Sequence, residues 1–312
     1  MALESDLLID RRKLKRGLAF WRAVAVVAVL GAAALVARET GPAQTLLGSS
    51  VARLTVSGVI TEDRARDRAL AALAEDRSVR ALIVAIDSPG GTVSGGEALH
   101  RALSAVAAQK PVVAVMGGTA ASAGYMVALP AERIFARDST VTGSIGVLMQ
   151  TTEFAGLLER LGIRAEALTS GPLKDQPSPF RPLTEEGRAA LSAVLQDLYA
   201  QFVAMVAAGR RMDEAAVRPL ADGRVFTGRQ AKAAGLIDAI GGEMEARAWL
   251  AAEKGVPESL PVREVAAPEA DRIIPRLLRD ARKALVSERL SLDGLMAIWH
   301  PSLLGASRGP GE

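Results

Sequence analysis

The chain has 312 residues, room for one large domain with appendages or for two small domains, and enough to bury a sizeable core. Its 38 Lys and Arg nearly balance 35 Asp and Glu, and a net charge of +3 is too small for a nucleic-acid footprint. The absence of cysteine excludes disulfides, thiolate metal sites and a cysteine nucleophile, while two histidines, His100 and His300, are the whole imidazole inventory.

Residues 1–17 are basic, with Arg11, Arg12, Lys13, Lys15 and Arg16 ahead of an apolar run at 18–37 whose one charge is Arg22. That run is near the lower length limit for a transmembrane helix, and Arg22 can snorkel to the headgroups. The basic flank predicts the N-terminus in the cytoplasm and the remainder outside. Ala32-Ala33-Ala34 also resembles a small-residue cleavage site, so a removed signal peptide is the rival reading; the run stays apolar through Val36, which favours a retained anchor. Residues 38–49, with Gly41-Pro42 and Gly48, read as a linker.

From 50 to 267 the pattern is that of an α/β domain. Strand-like runs at 51–60, 81–87, 111–116, 133–136 and 163–168 are separated by helical patterns such as 65–74 and 95–107, which predicts largely parallel pairing. The second run ends in Ser88-Pro89-Gly90-Gly91, where glycines free the backbone to turn and expose N–H groups. An ordinary turn has the same composition. The third run leads into Ser122, set among Ala120, Ala121, Ala123 and Gly124. At such a strand-to-helix turn a hydroxyl faces a cleft and the following amides point at any oxyanion formed there, or else the serine merely caps the helix.

A serine nucleophile needs a base. His100 lies beside Arg101 and Ser104, off the apolar stripe of its helix, and reads as solvated; His300 lies in the C-terminal tail. A lysine that sheds its charge by desolvation is the remaining partner. Lys174, in the Gly- and Pro-rich, otherwise lysine-free loop TSGPLKDQPSPFRPLT, is the strongest candidate, against the plain alternative of a surface lysine next to Asp175.

Thr184, Glu185 and Glu186 open a long helix with Leu191, Val194, Leu195, Leu198, Phe202, Met205 and Val206 on one face. Thr227 and Gln230 fit a capping box, and Gly235 a helix C-cap. No HExxH motif, phosphate loop or metal-spaced carboxylate cluster occurs, so no cofactor or metal is expected. Residues 268–312 form an extension in which Ile273, Ile274, Leu277, Leu278, Ala281 and Leu285 make an apolar stripe beside Arg276, Arg279, Arg282 and Lys283. It fits a packed helix, a subunit contact or a membrane surface.

Taken together, IDSPGG, AASAGY, TGSIGV, SGPLKD and DGRVFTGRQAKAAGLID, in that order over 51–242, resemble the SppA-type signal peptide peptidases of family S49 in their short, single-domain form. The resemblance implies a crotonase/Clp-peptidase-like superfold of repeated β-β-α units behind an N-terminal transmembrane helix. It makes Ser122 the nucleophile, Lys174 the general base and Ser144 a serine that orients the lysine. Gly90, Gly91 and the amide of Ala123 become the oxyanion donors. It further implies a bacterial inner-membrane protein with its body outside the cytoplasm. Its partners would be hydrophobic peptides such as signal-peptide remnants, bound as an added strand, and seven further copies in a dome-shaped octamer. There the serine and lysine of one site come from neighbouring protomers. In some relatives a trimmed C-terminus occupies the sites, so self-processing of the tail is expected. This chain departs from the family in Ala123-Gly124-Tyr125-Met126, where Gly-Gly-Tyr-Tyr is common. The competing readings are a non-catalytic membrane scaffold of the same fold and a crotonase-type acyl-CoA enzyme, neither of which needs both Ser122 and Lys174.

Overall fold

The computed structural model describes residues 21–22, 25–26, 48–265 and the backbone of 295–298. The basic segment 1–17, the rest of the expected anchor, most of the linker, the stripe at 273–285 and His300 lie outside the described residues. The chain divides into two units, Met1–Ser49 and Ser50–Glu312, of which the second holds both sheets and every helix named below.

The first half of this unit follows the expected alternation: β1 (Ser50–Ser57), α1 (Arg64–Glu75), β2 (Val79–Ser88), β3 (Gly90–Thr92), α2 (Val93–Ala107) and β4 (Val112–Ala121). A four-residue helix α3 (Ala123–Met126) precedes β5 (Arg133–Ala136), β6 (Val141–Gly143), β7 (Leu148–Met149) and α4 (Ala155–Arg160). The long α5 (Glu185–Arg210) leads through α6 (Glu214–Val217) to β8 (Val225–Thr227), α7 (Gly228–Ala233), β9 (Ala239–Ile240), α8 (Glu243–Lys254), β10 (Val262–Glu264) and β11 (Leu295–Ile298).

The main sheet runs β10-β1-β2-β4-β5-β9 with every neighbour parallel. Side chains alternate across it with period two, and the alternation sorts two cores. Leu82, Val84 and Ile86 face the helical layer of Leu70, Leu99 and Phe202, while Ala81, Ile83 and Val113 face Ala246 and Leu250 of α8. Such continuous apolar strands are what a parallel sheet covered on both faces requires. β6 adds in parallel to the far end of β4, and β8 pairs antiparallel with β6. A second, smaller sheet has the order β3-β11-β7, so β2, β3 and α2 form a β-β-α unit that spans both sheets.

Helix ends match their sequence signals. Thr184 accepts from the Gly187 amide at 3.0 Å, Thr227 and Gln230 form the capping box, and Gly235 (φ 76°) follows α7 with Leu236 N–H bonded to Ala231 O at 2.8 Å. The expected strand at 163–168 does not form; these residues are irregular and exposed. Their apolar alternation finds no sheet edge among the described residues, and an extended segment without a partner leaves its backbone to water. In α5 only the C-terminal part of the expected stripe is covered, with Phe202 and Val206 buried but Val194 exposed. Among the described residues α5 alone has the length and mean hydropathy of a membrane span, yet that C-terminal part packs on the core.

A polar network ties α5 to the rest. Arg210 donates to both Asp238 oxygens at 3.0 and 2.6 Å and to Gly235 O at 2.9 Å. Asp238 also accepts from Ile134 N–H at 2.7 Å, and the buried Tyr125 hydroxyl of α3 donates to Leu236 O at 2.8 Å. Burial acts to raise the Asp238 carboxyl, but the Arg210 and Ile134 hydrogen bonds, with the charges of Arg210 and Arg133, hold it below the ordinary carboxylate value. A depressed folded value adds stability above the unfolded carboxylate range, and that stability is lost as pH falls through the folded value. Asp238→Asn is therefore expected to cost about 2 kcal/mol at neutral pH, with the gap to wild type closing as the pH drops below the carboxylate range. Urea titrations across pH check this; a gap that is constant with pH would assign the loss to packing alone.

Candidate active site

β4 carries on past the point where β5 leaves it, and β6 takes over as its partner, pairing Thr119 with Val141, Ala120 with Thr142 and Ala121 with Gly143. Thr142 Oγ1 donates to Ala120 O at 2.7 Å and Ser122 N–H to Gly143 O at 2.8 Å. One position beyond the last pair stand Ser122 and Ser144, both in positive-φ conformations, 56° and 49°. For a residue with a side chain this region costs about 1–3 kcal/mol and persists only where the surroundings impose it. Here they do. Ser144 N–H is bonded to Arg224 O at 2.8 Å, and Gly143, at φ 79°, lies so close to Phe226 that a Cβ would come within 2.5 Å of the ring. On the other side α3 starts directly after Ser122, with Ala123, Tyr125 and Met126 buried in the core. The Ser122 hydroxyl caps nothing and makes no hydrogen bond with another described residue. The capping alternative for this serine is thereby removed.

The glycine pair is equally constrained. Ile60 N–H donates to Gly90 O at 2.8 Å and Thr92 N–H to Ile60 O at 2.9 Å, bracketing Gly91, where a Cβ would stand 1.9 Å from Ile60 O. Gly90 has φ 121°, open to glycine alone in practice. The outer edge of this segment, β3, pairs with β11 from the chain's own tail: Ala297 lies opposite Gly91 and Ile298 opposite Gly90, and β7 closes the far side. An extended segment thus fills the slot between β3 and β7 by strand addition.

The other expected residues are more dispersed. Lys174 is exposed in an irregular loop and forms no hydrogen bond or ion pair through its side chain with any described residue, Ser122 and Ser144 included. Asp175 pairs with Arg181, so the neighbouring carboxylate is engaged elsewhere. His100 is half-buried rather than solvated, in a groove between α2 and α5 with Leu129, Gln201 and Met205. Burial pushes its imidazole below the ordinary value, against the pull of Glu97 and aided by Arg101, and no bond joins it to Ser122. The sequence reading did not foresee that α5, distant in the chain, lines a common groove with α2 at His100. It also passed over Ser88, fully buried at the root of the glycine loop, for which its place directly before Pro89-Gly90-Gly91 was the available signal.

Two family models match the chain: "Peptidase family S49" over residues 104–257 and "Clp protease" over residues 49–142. The latter agrees with a parallel sheet flanked by a small second sheet. A protein of Synechocystis sp. described as a protease is 40% identical over 217 residues, 69% of this chain and 78% of that protein. Protease 4 of Salmonella typhi is 36% identical over 60% of this chain, and the chloroplastic serine protease SPPA of Arabidopsis thaliana is 29% identical over 86% of it. The chain spans only 29% and 38% of the length of those two. Among solved structures, a ClpP1 chain of Listeria monocytogenes covers 61% of this chain and 91% of its own, with TM-score 0.41 and 18% identity. With the S49 model spanning β4, Ser122 and the loop of Lys174, and a 40% identical protease covered over 78% of its length, the chain belongs to peptidase family S49, the SppA-type serine peptidases.

Proposed function

We propose that the protein is a membrane-anchored serine endopeptidase that degrades signal-peptide remnants and other hydrophobic segments through a Ser122–Lys174 dyad. The observation that carries the reading is Ser122 itself, buried, held at φ 56°, with its hydroxyl making no hydrogen bond to another described residue, and directly ahead of α3, which packs on the glycine strand β3. Ser122 Oγ attacks the scissile carbonyl; Lys174 takes the proton and passes it to the leaving amine. Water, deprotonated by the same amine, then releases the acyl group and regenerates the serine. Negative charge on the tetrahedral oxygen is met by backbone amides, with Ala123 on one side and the glycine loop on the other. Ser144, one residue past the β6 pairing, takes the role of orienting the lysine in this reading.

A lysine acting as base has to be taken out of water. Lys174 is exposed in the single chain, and the surface around its loop is strongly apolar: Phe154, Leu157, Ile163 and Phe180 are exposed, with Leu161 at 63% and Leu168 at 95%. Such a surface calls for a covering partner. A second copy, in a homo-octamer with shared sites, meets both needs, desolvating the lysine and bringing it to a neighbour's Ser122. The apolar run at 18–37 anchors the assembly in the bacterial inner membrane, with the body outside the cytoplasm.

Turnover of a hydrophobic, signal-peptide-like fluorogenic substrate tests the dyad. Ser122→Ala and Lys174→Ala are each expected to lower kcat by about 10⁴-fold or more with assembly size unchanged; wild-type turnover in either variant removes that residue from the mechanism. The pairing of β11 with β3 adds a second expectation, that the tail is a substrate of the site it fills. Intact mass should show the wild-type chain shortened within its last residues and Ser122→Ala full length. Equal full-length masses would exclude self-processing.

A further inference from the structure

We propose that Ser88 is a positioning residue that assigns the oxyanion role within the glycine loop to the N–H of Gly91 rather than that of Gly90. The proposal rests on Ser122 as nucleophile. In an extended strand the N–H and C=O of one residue point to one side and those of the next to the other. Gly90 O and Thr92 N–H both point to Ile60, at 2.8 and 2.9 Å. The Gly91 N–H and C=O therefore face the opposite side, where β11 lies across from them. The amide of Gly90 is already taken, because it donates to Ser88 Oγ at 3.1 Å. Of the two glycine amides, only that of Gly91 addresses the slot.

Ser88 holds this arrangement from several directions. Its hydroxyl donates to Gly58 O at 2.7 Å while accepting from Gly90, so both hydroxyl functions are committed and the loop is pinned to the end of β1. Its backbone pairs with Ala120, two residues before Ser122. Its carbonyl oxygen would lie 2.8 Å from a Cβ at Gly124, so α3, which begins at Ala123, packs directly on it. One fully buried residue thus touches the strand that delivers the nucleophile, the helix that follows it and the loop that supplies the facing amide. Removing the hydroxyl frees the Gly90 amide and releases the turn, and the Gly91 donor loses its fixed direction. A donor off its line stabilises the tetrahedral oxygen less while leaving ground-state binding of the peptide almost untouched.

Ser88→Ala in the full-length protein should lower kcat about 10- to 100-fold with KM within about twofold. Affinity for a peptide boronate, which forms a tetrahedral adduct on Ser122, should fall in step with kcat. Binding of uncleaved peptide, measured with Ser88→Ala placed in a Ser122→Ala chain, should match that of Ser122→Ala alone. Ser88→Thr, which keeps the hydroxyl, should recover most of the lost kcat, and a fluorophosphonate labelling rate normalised to assembled protein separates altered chemistry from lost fold. Wild-type kcat in Ser88→Ala, or an equal loss of peptide affinity and boronate affinity, overturns the proposal. Full turnover in Ser122→Ala by itself would instead overturn the reading of the site beneath it.

Discussion

The handover of β4 from one partner to another governs everything at the candidate site. Up to Met116 the strand is held by β5; from Thr119 it is held by β6. The change of partner carries the chain to Ser122 and Ser144 side by side, each in a backbone region that neither residue adopts unaided. What keeps them there is structural surplus elsewhere: the hydrogen bonds of Thr142 and Ser122 across the β4–β6 junction, the close seat of Gly143 on Phe226, and the buried helix α3 behind. Local strain at this point is supported by a large core, and loosening either partner strand would let both serines relax together.

Much of the fold was legible because its main strands are long and apolar. Runs such as 81–87 sit between two covering layers, and their helices carry caps that can be read residue by residue, Thr184 and Thr227 among them. β6, β8 and β9 were not legible. Two or three residues hold no period, and these strands exist because of partners distant in the chain, as Thr142 faces Phe226. The run at 163–168 has a period and no strand partner among the described residues, and so was misread as a strand. At the site, Ser122 and the glycine pair stood out by their neighbours, whereas the direction of the Gly91 amide depends on Ile60, and the burial of His100 on a helix a hundred residues away.

Helix α5 divides the molecule's surface as well as its core. Its C-terminal end is docked through Phe202, Val203 and Val206 and locked by Arg210 to Asp238, while Val194 continues the same stripe into solvent. A stripe that runs unbroken from core to surface makes any chain bound on the outer part mechanically continuous with α3, through Arg210, Leu236 and Tyr125. In the proposed assembly, subunit contact and site geometry would then share one rigid element.

The slot beside the glycine loop is bounded by strands of three and two residues, β3 and β7. So short an edge offers an incoming chain only a few backbone hydrogen bonds, each worth about 0.5–1.5 kcal/mol net. A segment of folded helix or sheet would surrender as many bonds to enter as it gains, and would lose its packing besides. On the proposed reading, the slot would therefore discriminate by conformational state before it reads any side chain: a polypeptide whose amides are already unpaired would enter, and a native domain would be refused.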